Sequence, residues 1–91
     1  MTKKTVAFNK KGIEQLPTDK PVVYQIKTAG GRNNYTGVAQ RGRAQERLKE
    51  HLLNIPGAKV QAEQMPSIKE AKEKERRIIA KQQPPYNTQG K

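Results

Sequence analysis

Val22-Val23-Tyr24-Gln25-Ile26-Lys27, then Ala29-Gly30-Gly31-Arg32-Asn33-Asn34, then Tyr35-Thr36-Gly37-Val38-Ala39, is the stretch that decides the fold. The first piece has the β-branched and aromatic content of a strand. The middle is dense in Gly and Asn, which accept the backbone angles of turns. Strand character resumes at Tyr35. Two such runs around a Gly/Asn cluster predict an antiparallel hairpin whose loop is longer than the tightest type. Side chains alternate along a strand, so Val22, Tyr24 and Ile26 share one face, and Tyr35 and Gly37 share a face of the partner.

Downstream the period changes. Ala44, Leu48, Leu52 and Ile55 recur every three or four residues, predicting a helix from about Arg41 to Asn54 that Pro56-Gly57 closes. Residues 58–64 alternate weakly and read as a third strand, paired with the hairpin as an edge that tolerates its charges. Ser67-Ile68-Lys69-Glu70 is a capping box, and a second helix is expected from Ser67 to Gln82 or Gln83, ahead of Pro84-Pro85. Pro84-Pro85-Tyr86-Asn87 then reads as an extended tail. Upstream, residues 1–21 read as an arm and linker. Within them, residues 5–8 are either a short strand or a loosely attached segment, and residues 12–16 hold one helical turn. The expectation is an α+β domain over 22–91, with a small three-stranded antiparallel sheet flanked by helices.

The chain has 91 residues, of which 32% are hydrophobic, and the only aromatics are Phe8, Tyr24, Tyr35 and Tyr86. With so few, each aromatic needs a reason to be there. A net charge of +11 favours a polyanionic partner, because neutralised phosphates release their counterions. The same charge suits an RNA binder without chemistry. Cysteine is absent, which removes disulfides and thiolate metal sites. No apolar run reaches the length of a membrane span, and residues 1–8 lack a secretory apolar core, so a cytoplasmic protein without membrane partners is expected. Gly30-Gly31 is not followed by a phosphate-cradling Gly-Lys-Ser/Thr. One histidine, one serine already used as a cap and no cysteine leave no nucleophilic triad.

Two local conflicts mark a candidate site. Counting four from Ala71 and four back from Ile79 lands on Glu75, a carboxylate on the stripe where an aliphatic side chain belongs. Such a group either sits at the edge of the stripe, is salt-bridged, or is bound to a cation. Arg47 and His51, four apart, share one side of the first helix beside its apolar stripe. His51 there is either a packed residue or a functional one, and Arg47 offers a planar fork for phosphate.

These pieces together resemble the GIY-YIG nuclease family over residues 22–87. Val22-Val23-Tyr24 stands at the first motif and Tyr35-Thr36-Gly37 at the second. Arg47 with His51 matches R-x-x-x-H on the next helix. Glu75 matches the metal-binding glutamate, and Gln83-Pro84-Pro85-Tyr86-Asn87 matches the closing Q-P-x-Y-N of the excision-repair branch. Val22 and Val23 replace Gly and Ile, and Thr36 replaces Ile, which changes packing and backbone freedom but keeps both tyrosines.

The resemblance implies a stand-alone catalytic domain, a metal-dependent DNA endonuclease or nickase that hydrolyses phosphodiester bonds. Tyr24 would be general base or water-orienting group. Arg47 would stabilise the phosphate, Tyr35 and His51 would position the nucleophile or relay a proton, and Asn87 would order the site. Glu75 would hold Mg²⁺ or Mn²⁺. For Tyr24 to act as a base, the cation and Arg47 would have to lower its pKa. Lys27, Arg32, Arg41 and Arg43 are the expected DNA-backbone contacts, with a partner protein or a homodimer supplying specificity. The alternative is a non-catalytic nucleic-acid-binding protein on the same fold.

Overall fold

The computed structural model of the chain describes residues 3–16, 18–84 and 86. The hairpin forms as its residues dictate. β2 (Val22–Lys27) pairs antiparallel with β3 (Asn33–Ala39), setting Val22 opposite Ala39, Tyr24 opposite Gly37 and Ile26 opposite Tyr35. Both valines that depart from the first motif are buried and pair in register with β3, whose ladder with β2 shifts register only beyond them, between Ile26 and Lys27.

The sheet has four strands rather than three, in the order β1-β4-β2-β3. The extra strand is β1 (Lys3–Ala7), in the segment read as an arm, and it pairs antiparallel with β4 (Lys59–Gln64). β4 is therefore interior, between β1 and β2, instead of an edge. A short helical turn, α1 (Lys10–Ile13), follows β1. The Asn9 side chain caps it by accepting from Gly12 N at 2.7 Å. A Cβ on Gly12 would lie 2.1 Å from the Ala7 carbonyl oxygen, so only glycine fits this tight return onto β1. Val6, Phe8, Ile13 and Leu16 enter the main core, and the described part of 1–21 belongs to the same packed unit as the hairpin.

Alternation splits the sheet into two faces. Val22, Tyr24, Ile26, Ala39, Val60 and Ala62 join α2 (Ala44–His51), through Ala44 and Leu48, in the larger cluster. On the opposite face Val23 and Val38 meet Ala71, Ile68 and Ile78 of α3 (Ile68–Gln82). α2 is shorter than its apolar spacing suggests. α3 starts as its capping box predicts, with Ser67 Oγ accepting from Glu70 N at 3.3 Å. It ends at Gln83, whose φ of 46° is left-handed and lets its N–H donate to the Ile79 carbonyl.

Charge on the α3 face of β4 is answered locally. Glu63 is buried there and takes an ion pair from Lys74 of α3. Among the described residues, no helix is long and apolar enough to cross a membrane.

Candidate active site at the exposed sheet edge

β3 is an edge strand, with α2 on one side of the sheet and α3 on the other, so groups from all three converge along it. Tyr24 lies one strand in. Its ring passes over Gly37, where a Cβ would stand 2.7 Å from the Tyr24 hydroxyl and 3.0 Å from Tyr35 Cε2. Glycine there is what allows the two phenols to lie side by side, with ring centroids 6.2 Å apart. α2 contributes His51, whose Nε2 is 3.1 Å from Tyr24 Oη and whose ring centroid is 4.8 Å from that of Tyr35. Arg47, one turn earlier and exposed, lies within interaction range of both phenols. Glu75, half-buried on α3, acts electrostatically on both tyrosines from the other layer.

Thus Tyr24, Tyr35, Arg47, His51 and Glu75 cluster, although they come from four elements spread over 52 positions of sequence. Asn87 lies outside the described residues. Tyr86, in the same closing motif, packs against the core that holds Tyr24. Thr36, the departure in the second motif, is buried, and its hydroxyl accepts from Asn33 Nδ2 at 2.7 Å.

The expected backbone-contacting cations divide into two groups. Arg41 and Arg43 are exposed just ahead of α2, and Arg43 lines the same groove as Arg47. Lys27 and Arg32 line a separate hollow with Asn33 and Gln82 at the hairpin tip, and Lys27 Nζ donates to Gln61 Oε1 at 2.7 Å.

Electrostatics sort the groups by protonation. Burial pushes the Tyr24 hydroxyl far above the usual phenol range, and neighbouring Tyr35 adds to this; Arg47 opposes it but is outweighed. Tyr35 is raised as well, by burial and by Glu75, against Arg47. Burial, then Arg47, holds His51 below its ordinary value of 6.5. At neutral pH the Tyr24–His51 pair is therefore neutral. The lowered Tyr24 pKa needed for a phenolate base is not what this environment produces.

The donor set can accommodate a hard divalent ion only in a sparse way. Among the described residues no three His, Cys, Asp or Glu side chains form a cluster, so an ion on Glu75 would have at most one further ligand of these types there. Mg²⁺ retains most of its water and binds through one or two carboxylates plus substrate phosphate, so this set fits it.

What sequence reasoning overlooked is the carboxylate pair Glu46 and Glu50. They lie on the same side of α2 as Arg43 and Arg47 and face a groove beside the cluster. The i, i+4 spacing of those acids was the available signal. No protein-family model matches the chain, and no curated protein or solved structure matches it.

Proposed function

We propose that the protein is a metal-dependent nuclease that hydrolyses phosphodiester bonds in DNA, of the GIY-YIG type its motifs resemble. The observation that carries this reading is the convergence of Tyr24, Tyr35, Arg47, His51 and Glu75 at one exposed edge of a strongly basic molecule. A structural core would not need two phenols, an imidazole, a guanidinium and a carboxylate brought together there. Arg47, exposed and always charged, is suited to grip the scissile phosphate and stabilise the charge that grows on it. The neutral Tyr24–His51 pair accepts the proton of the attacking water. Tyr24 is fully buried, so water reaches the pair from the side of half-buried His51 and Tyr35, and Tyr24 orients His51 through their hydrogen bond. A cation on Glu75, when bound, supplies neutralisation of the phosphate.

The complete burial of Tyr24 favours a second reading, a non-catalytic nucleic-acid-binding protein on this fold. A plasmid-relaxation assay with Mg²⁺ or Mn²⁺ separates the two, comparing wild type with Glu75→Ala, Tyr24→Phe and Arg47→Ala. Nicking by wild type, reduced by about 10²-fold or more in each variant with DNA binding retained by Glu75→Ala, is expected. Binding without cleavage under either ion would hand the case to the second reading.

A further inference from the structure

The face of α3 that meets the sheet reads Ile68, Ala71, Glu75, Ile78 and Gln82, at intervals of three and four. Ile68, Ala71 and Ile78 pack there with Val23 and Val38. Glu75 and Gln82 are the polar members of this stripe, seven residues or about two turns apart. Glu75 acts electrostatically on the two tyrosines. Gln82, the last residue of α3, reaches the start of β3, where its Oε1 accepts from Asn33 Nδ2 at 2.8 Å.

Asn33 stands at the irregular point of the hairpin. Ile26 pairs with Tyr35 and Lys27 with Asn33, so Asn34 has no partner on β2. A bulge of this kind re-aims the side chains around it. Asn34 is buried, and its Nδ2 donates at 2.9 Å to the carbonyl of Pro56, in the connection from α2 to β4. Asn33 turns toward Thr36 and α3, and its amide is used three times. Oδ1 accepts from Tyr35 N at 3.1 Å, and Nδ2 donates to Thr36 Oγ1 at 2.7 Å as well as to Gln82. The Tyr35 N–H can only donate, so the amide oxygen must face it, which leaves both N–H groups for Thr36 and Gln82. One side chain thus ties the backbone of Tyr35 to the last turn of α3. Just beyond, the chain changes sides: Gln83 is left-handed, Pro84 is buried, and Tyr86 packs on the core of the opposite face.

We propose that the Asn33–Gln82 hydrogen bond is a positioning clamp that sets the rotation of α3 about its axis, and with it the placement of Glu75 against Tyr35. Gln82 and Glu75 lie on one line of the helix, so a rotation at the first is a rotation at the second. Gln82 is exposed, so the bond acts on direction more than on stability. Neither Asn33 nor Gln82 lies in the motifs that carry the resemblance. The consequence for catalysis rests on the nuclease reading.

The test compares Gln82→Glu with Gln82→Leu in the full chain. The first keeps an accepting oxygen but puts a negative charge at the C-terminal end of α3, which the helix dipole disfavours. The second is as good a helix former and adds no charge, but accepts nothing. Stability and positioning therefore rank the two variants in opposite orders. In plasmid relaxation at saturating Mg²⁺, Gln82→Glu should stay within about twofold of wild type, and Gln82→Leu should lose about tenfold in kcat with KM little changed. In amide-resolved NMR without divalent cation, Gln82→Leu should move the Glu75 amide, about 10 Å away along the axis, and Gln82→Glu should leave it in place. Asn33→Asp, which keeps the acceptor for the Tyr35 N–H and loses both donors, should follow Gln82→Leu. A Glu75 amide unmoved by Gln82→Leu, or rates that do not follow the acceptor, would overturn the proposal. Because the NMR comparison involves no cleavage, wild type that never nicks removes the nuclease reading, while an acceptor-dependent Glu75 shift keeps the clamp. Nicking beside a Glu75 amide indifferent to Gln82→Leu does the reverse.

Discussion

Replacing Gly37 by Ala is the sharpest test of how this site is built. The new Cβ would lie 2.7 Å from Tyr24 Oη, 2.8 Å from Cζ and 3.0 Å from Tyr35 Cε2, where ordinary contact starts at 3.4 Å. The phenol must retreat by about 0.7 Å, and Tyr24 is wholly buried, so its neighbours must move with it. Overpacking of this kind costs about 1–3 kcal/mol. For a domain of this length that lowers Tm by about 5–20 °C. The Tyr24–His51 contact is 3.1 Å, and a shift of that size alters it enough to disturb the pair. Misplacement of this order lowers a reaction rate by about 10-fold to 10²-fold.

Urea denaturation followed by circular dichroism reads the stability, and plasmid relaxation reads the rate. Tyr24→Phe removes the nearest clashing atom but leaves Cζ, so the relief is partial. The double variant should then lose less than the sum of its parts, by about 0.5–1 kcal/mol. Unchanged stability of Gly37→Ala, or strict additivity with Tyr24→Phe, would refute the claim that glycine is there to admit the phenol.

Three further expectations follow from the packing. His51 titrates below its ordinary 6.5 when folded, so the unfolded chain takes up the proton first. Its contribution to stability is present above pH 6.5 and is lost as pH falls toward the depressed folded value. Equilibrium unfolding against pH should show this loss, and His51→Gln should flatten it. Lys74→Met leaves Glu63 buried without its ion-pair partner and should destabilise by about 1–3 kcal/mol, moderated because Lys74 is one-third exposed. Adding Glu63→Gln should recover part of that, and no recovery in urea melts would mean the pair is incidental. Phe8→Ala should cost about 3–5 kcal/mol, since the Phe8 ring is buried in the main core. An effect below about 0.5 kcal/mol would return residues 3–8 to the status of a loose arm.

The hairpin, the second long helix and the identity of the clustered side chains were legible in the sequence because each rests on local rules. Alternation set Tyr24 on the face of Val22 and Ile26, the Gly/Asn turn set the hairpin, and the Ser67 capping box set the start of α3. Glu75 could be picked out because a carboxylate interrupted an aliphatic stripe. What stayed hidden was non-local. β1 has few apolar residues of its own and becomes a strand only by pairing with β4, with Val6 set against Val60. That pairing also moved β4 from edge to interior.

The protonation of the site was equally out of reach. Composition supplied cations that should lower a phenol's pKa, yet burial of Tyr24 raises it, and burial is a property of the assembled core. The sequence by itself determined which groups could act, because residue type and period are written along the chain. The tertiary structure decided that they meet at the β3 edge, because pairing β2 between β4 and β3 sets Tyr24 over Gly37 beside Tyr35, with α2 packed on one face of the sheet and α3 on the other.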